Sequence, residues 1–301
     1  MPGVHDIGAL EEATDLFSAF WTAAHWVWQR RQTAKNFGFP FSEETVTETI
    51  LLDIATRNPA SIKIIPLNKH QEGKVGADWE WCFYNKAQTK FTRTLVQAKV
   101  LDDHDNEYSH IDRKIGNSSV RQIDRLIASA EQRGIPALYV FYNNLTTVSR
   151  VPAERCSCFN CAECWGCSAA DAYAIRALLP DKTFDTLRDV CFPWLCLLCA
   201  RETAGDADRD LPDRVSKALL QLEVLSTERV PALRDTASRP PFPQRVWKEP
   251  PPYFERSQAI GTDTSPQLQE MLVRTLQSEN PDLDGIVLAT EVEPEEEDAE
   301  Q

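Results

Sequence analysis

Apolar positions recur along this chain with two periods, and the switches between them mark its elements. Leu10, Ala13, Phe17, Phe20, Trp21, Ala24 and Trp28 fall at helical spacing and predict one amphipathic helix over residues 10–35. Trp21, Trp26 and Trp28 are read there as packing residues with no functional role. A second helix runs from Ser42, whose hydroxyl can cap the first turn, to Thr56; Val46, Ile50, Asp53 and Ile54 lie on one side, Glu44, Glu48 and Leu51 on another. Glu43 and Glu44 suit its positive end.

A β-branched run, Ser61–Leu67, and a polar loop over 68–76 follow. The period then drops to two. Ala77, Trp79, Trp81 and Phe83 alternate with Asp78, Glu80, Cys82 and Tyr84. After the polar turn 85–90, Val96, Ala98 and Val100 alternate with Leu95, Gln97 and Lys99. Two strands joined so closely predict antiparallel neighbours, with Asp78, Glu80, Gln97 and Lys99 on a common face. Ser118–Arg133 predicts a helix capped by Ser118 or Ser119, with Val120, Ile123, Ile127 and Ala130 as its stripe and Gly134 as its stop. The apolar strand Ile135–Tyr142 then lies parallel to the preceding one by a crossover.

Beyond Val151 the pattern weakens. Helices are predicted over 169–179 and 211–225, a proline-rich linker over 239–254, a helix over 266–278 and a small strand at Gly285–Thr290. The domains expected are an N-terminal helix (1–40), a core (41–150), a Cys-rich, mostly helical subdomain (151–225), a linker (226–264) and a short helix and strand with an acidic tail (265–301).

The net charge of −14 argues against a general nucleic-acid coat, yet residues 281–301 alone hold nine acids and no base. Residues 61–155 carry 14 Lys and Arg against 11 Asp and Glu, so a phosphate-binding centre is allowed. The acidic end is expected to be disordered, at most an electrostatic guard over the core. With no run of apolar residues long enough for a membrane span, and an N-terminus lacking Lys and Arg, the expectation is an intracellular protein (cytoplasmic or nuclear) with no membrane partner.

Polar residues on an inward sheet face are costly unless something compensates them. A divalent cation does so: Asp78 and Glu80 offer oxygens to Mg²⁺ or Mn²⁺, and Lys99 supplies a mobile positive charge where a water loses its proton or where charge builds on phosphorus. The simpler alternative is an edge hairpin with its acids in solvent and Lys99 as a cross-strand partner. His110 and Asp112 could touch metal or phosphate, but a loop histidine is more commonly solvated.

Helix acids Glu44 and Glu48, then Gly76-Ala77-Asp78, then Gln97-Ala98-Lys99, in that order, resemble the PD-(D/E)XK nuclease-like superfamily over residues 42–144. The resemblance implies an α/β fold with a restriction-endonuclease-like core, a mixed sheet flanked by helices. It implies Asp78 as the metal-binding aspartate, Lys99 as the catalytic lysine, Gln97 in place of the usual acid, and Glu44 or Glu48 as the helix acid. Gln122 is similar to a glutamine that some superfamily exonucleases place beside the metal. Ala77 stands where the motif has proline. The implied activity is metal-dependent hydrolysis of DNA or RNA; the alternative is an inactive nuclease-like binding or scaffold module.

Nine cysteines, seven of them within 156–167 and 196–199, read as metal before disulfide. C-x2-C knuckles converge on zinc, here through four of Cys158, Cys161, Cys164, Cys167, Cys196 and Cys199. Successive C-x2-C spacings also suit an iron–sulfur cluster, disfavoured because the run lacks the usual ending; packed free thiols are the third possibility. A thiol protease is set aside because all five histidines precede the cluster. A nuclease-like core followed by such a segment, ending Cys164-Trp165-Gly166-Cys167-Ser168, also resembles an uncharacterised domain family.

Overall fold

The computed structural model describes residues 16–57, 62–66, 72–85, 89–102, 105–115, 119–144, 161–198, 211–235, 246–249, 251 and 285–290. Helices α1 (Leu16–Phe37) and α2 (Glu43–Arg57) are followed by β1 (Ile62–Pro66), the single turn α3 (Glu72–Val75), β2 (Trp79–Tyr84), β3 (Phe91–Val100), α4 (Gln122–Arg133) and β4 (Ala137–Tyr142). Then come β5 (Cys167–Asp171), α5 (Ala172–Leu178), α6 (Phe184–Leu187), β6 (Cys191–Pro193), α7 (Leu211–Arg229) and β7 (Gly285–Thr290). The seven strands form one mixed sheet in the order β1-β7-β2-β3-β4-β5-β6. β2 and β3 are antiparallel and β3 and β4 parallel, as the hairpin and the crossover predict.

Strand alternation divides the core into two layers. Trp79, Trp81, Phe83, Val96, Ala98, Leu138 and Val140 pack against α1, α2 and α7. Cys82, Tyr84, Leu95, Ala137, Tyr139 and Phe141 pack against α4, α5 and α6. Trp28 of α1 is buried while Trp21 and Trp26 are half-buried, in keeping with packing roles.

Three carbonyls of α1, one turn apart, are met by three different segments. Trp194 Nε1 donates to Phe20 O at 2.9 Å, and Asn144 Nδ2 donates to Trp28 O at 2.7 Å. Between them Gly166 lies so near Ala24 that a Cβ would stand 1.9 Å from the Ala24 carbonyl oxygen. The turn at 163–166 can therefore dock on α1 only with glycine at position 166.

Several expectations need correction. Position 150 is no boundary: β5 and β6 belong to the same sheet, and Cys164, Cys167, Trp194 and Leu195 lie in the core layer shared with α1 and α2. The Cys-rich segment is thus not a separate subdomain: its described residues are mostly helical, as expected, but β5 and β6 extend the sheet of the core. The helix predicted from Ala169 begins at Ala172, because Ser168–Asp171 pair with β4 and the Asp171 carboxylate accepts from Tyr173 N to cap the helix. Helix α4 starts at Gln122, not Ser118; Val120 is exposed, and its carbonyl accepts from Ile115 N. Its end is as expected, with Gly134 in the left-handed region at φ 67°. In the proline-rich stretch, Trp247 exchanges backbone hydrogen bonds with Phe91, at 2.7 and 2.8 Å, so at that point the chain is docked on β3. The expected helix over 266–278 and the acidic tail over 291–301 lie outside the described residues, while the small strand is present as β7.

Candidate active site

The register pairs Trp79 with Val96, which sets Asp78 opposite Gln97 and puts Lys99 two residues along the same side of β3. Asp78 sits just before β2, after Gly76, whose φ of 76° suits only glycine. A Cβ on Gly76 would stand 2.6 Å from Leu126 N and 2.7 Å from Gln122 O, so the missing side chain lets α4 close over this turn. Asp78 N donates to Val96 O at 2.8 Å. Its Oδ2 accepts from Ala98 N at 2.7 Å, taking over a strand amide at the point where β2 begins.

The same Oδ2 accepts from Gln97 Nε2 at 2.6 Å, and Gln97 Oε1 accepts from Gln122 Nε2. Gln122 is thus brought to the site as the resemblance implies. The Gln97 carbonyl, expected to face a metal beside Asp78, is turned to Gln122 instead, because its NH₂ satisfies the aspartate. Two buried oxygens nearby, Gln122 Oε1 and Tyr139 Oη, have no hydrogen-bond partner among the described residues. Tyr139 lies beside Gln97 in the β3–β4 pairing. Burial, reinforced by the Asp78 and Glu43 charges, holds its hydroxyl far above the ordinary tyrosine range.

Lys99 is 4% exposed; its Nζ donates to Glu43 Oε1 at 3.0 Å and to Ala98 O at 2.7 Å. The helix acid at the site is therefore Glu43, whereas Glu44 and Glu48 are exposed. Glu43 precedes the buried Val46 and Ile50 by three and seven residues and so shares their face of α2. Ser42 Oγ accepts from Thr45 N at 3.2 Å, and Thr47 Oγ1 bonds Tyr142 Oη at 2.9 Å, fixing the start of α2 against β4. Burial raises the Glu43 carboxyl above its ordinary value, while Lys99 pulls the other way.

Glu80, expected as a second metal ligand, is fully buried and held by guanidinium groups: Arg93 Nε donates to it, and Arg133 Nη1 stands 3.6 Å away. A buried carboxylate needs a cation, and here arginine supplies it. His110 and Asp112 are exposed on the loop before α4.

Of the six candidate zinc ligands, Cys158 and Cys199 lie outside the described residues. Cys161 and Cys164 form a disulfide. Cys167 is buried and reduced, its thiol pushed well up by burial, and Cys196 is half-buried. Among the described residues no four of these sulfurs converge. One group that can hold a metal ion does form: His25, Cys161 and Cys164, whose ligand atoms lie within 4.8 Å of one another. His25 comes from α1, and nothing in its local sequence pattern ties it to cysteines so far along the chain.

A family described as a family of unknown function (DUF6615) matches residues 16–294, from the start of α1 past the end of β7, so the chain belongs to that family. No curated protein matches the chain. No helix among the described residues is long and apolar enough to cross a membrane.

Proposed function

We propose that this DUF6615 chain is a Mg²⁺- or Mn²⁺-dependent phosphodiesterase acting on DNA or RNA, built on a restriction-endonuclease-like core. The observation that carries the reading is the hydrogen-bonded set Asp78, Gln97 and Gln122, with Lys99 two residues along β3, beside two buried oxygens, Gln122 Oε1 and Tyr139 Oη, that lack hydrogen-bond partners among the described residues. Carboxylates, an amide oxygen and a phenol suit a hard cation. Asp78 would hold it. Because the Gln97 NH₂ donates to Asp78 Oδ2, the amide must turn over to present its oxygen. If Gln122 turns with it, their mutual hydrogen bond survives with donor and acceptor exchanged.

Bound there, the ion supplies Lewis acidity, making a water more acidic and neutralising charge on the phosphoryl oxygens. Lys99 adds a buried positive charge where negative charge grows on phosphorus. Glu43, whose burial increases its hold on a proton, would accept one as water bonds to phosphorus. The bond to the leaving sugar oxygen breaks, and that oxygen is protonated by solvent. Zinc in this reading is structural and takes no part in the hydrolysis.

The Gln97-to-Asp78 bond favours a second reading, in which the amide has taken the metal's place and the domain is an inactive nucleic-acid-binding or scaffold module. One assay separates the two: cleavage of single- and double-stranded DNA and RNA with Mg²⁺ and Mn²⁺, wild type beside Asp78→Ala and Lys99→Ala. Cleavage by the wild type alone supports hydrolysis. Equal cleavage by all three marks a contaminant and leaves the scaffold.

A further inference from the structure

We propose that Cys161 and Cys164, once reduced, bind one Zn²⁺ together with Nε2 of His25, so that the disulfide and the metal are alternative states of one site. This names the ligands of the structural zinc above and is independent of phosphodiester hydrolysis. His25 Nδ1 lies 3.0 Å from Trp21 O. A carbonyl can only accept, so Nδ1 carries the proton and Nε2 a lone pair. That lone pair faces Cys161 Sγ at 3.8 Å.

In the disulfide the sulfur has no proton to give, and two acceptors face each other. A cation between them turns the contact into two bonds. Tetrahedral zinc with ordinary Zn–N and Zn–S lengths sets nitrogen and sulfur about 3.6 Å apart, close to the separation already present. The imidazole is also held in place for this. Its outer nitrogen is anchored by the Trp21 carbonyl, as in zinc sites whose ligating histidines donate to a backbone oxygen. The Trp21 ring stands 3.8 Å from it, centre to centre. The docking of Gly166 on Ala24, next to His25, fixes the turn that carries Cys164.

The exchange balances with a dithiol as reductant. The dithiol gives two electrons and two protons to the Cys161–Cys164 bond and becomes a disulfide itself. Zn²⁺ then displaces the two cysteine protons to solvent. Among the described residues there are three protein ligands, which leave a fourth position for water. Cys167 and Cys196 fall outside the group.

The test uses the full chain, reduced with dithiothreitol under argon and then freed of it, with Co²⁺ as a spectroscopic stand-in for zinc. The expected result is one tetrahedral Co²⁺ per chain whose sulfur-to-cobalt absorption corresponds to two thiolates, and no such band in the oxidised protein. His25→Ala should weaken binding more than about tenfold. His25→Cys, which keeps a ligand and guards against misfolding, should raise the thiolate count from two to three. The proposal is overturned by a four-thiolate spectrum, by no tetrahedral cobalt after reduction, or by equal binding in the oxidised protein. None of these readouts depends on nuclease activity.

Discussion

Lys99 Nζ and Glu43 Oε1 stand 3.0 Å apart, an ion pair that links β3 to the first turn of α2. The lysine side chain is 5% exposed and the glutamate 25%, so neither charge can be removed without stranding the other. Lys99→Met should abolish cleavage and lower stability by about 2–3 kcal/mol, below the figure for a wholly buried pair because Glu43 keeps some solvent. Adding Glu43→Gln to Lys99→Met should restore part of that stability and none of the activity. Urea unfolding of the two single variants and the double one checks this.

The same pair sets a pH dependence. Burial raises Glu43 above its ordinary 4.5, so the folded chain holds this proton more tightly than the unfolded chain. Its contribution to stability is fully present below that ordinary value and is lost as pH rises through the raised one. Thermal melts of Glu43→Gln at constant ionic strength should therefore lose less stability than the wild type over that interval. Parallel profiles would show that the carboxyl titrates normally.

Gln97→Glu would set a second carboxylate against Asp78, where an amide NH₂ now donates at 2.6 Å. Without divalent ions the variant should melt below the wild type by several degrees, about 1–2 kcal/mol of lost hydrogen bonding and added repulsion. With Mn²⁺ the order of metal-induced stabilisation should reverse, the variant gaining more. A wild-type melt unmoved by Mn²⁺ would speak for the inactive module.

Gly76→Ala brings a methyl against Leu126 N and Gln122 O at a φ of 76°. The strain should cost about 1–3 kcal/mol, and α4 must retreat, taking Gln122 from Gln97. Cleavage should fall more than stability explains, which activity measured well below the melting temperature would detect.

Much of this was legible beforehand, because spacings of two residues in strands and of three or four in helices report faces directly. Alternation alone placed Asp78, Gln97 and Lys99 together, and the helical stripe marked Ile123, Ile127 and Ala130 as the buried side of α4, though not Val120, which is exposed. Glu43 was legible too, since it shares a face with Val46 and Ile50, but its place beside Glu44 at the helix start suggested only a favourable terminal charge. The role of Glu80 depends on where Arg93 and Arg133 end, which no local pattern states. Ala169–Asp171, the end of the strand Cys167–Asp171, reads as the start of a helix because no local pattern marks it as strand, and pairing with β4 decides. His25 meets Cys161 across 136 positions, a separation only the assembled sheet and α1 can close.

The line of α1 carbonyls at Phe20, Ala24 and Trp28 bears on which lengths of this helix can change. These contacts are made to main-chain atoms of α1, at intervals of four residues or about 6 Å along the axis. One residue inserted between Phe20 and Trp28 would turn the helix beyond it by about 100° and advance it by about 1.5 Å, so that Trp194, Gly166 and Asn144 could not all keep their places. Between those positions α1 should exchange side chains of similar bulk but admit neither insertion nor deletion, whereas the helix beyond Trp28 is under no such rule from these contacts. Length variants among members of the family should then divide at Trp28.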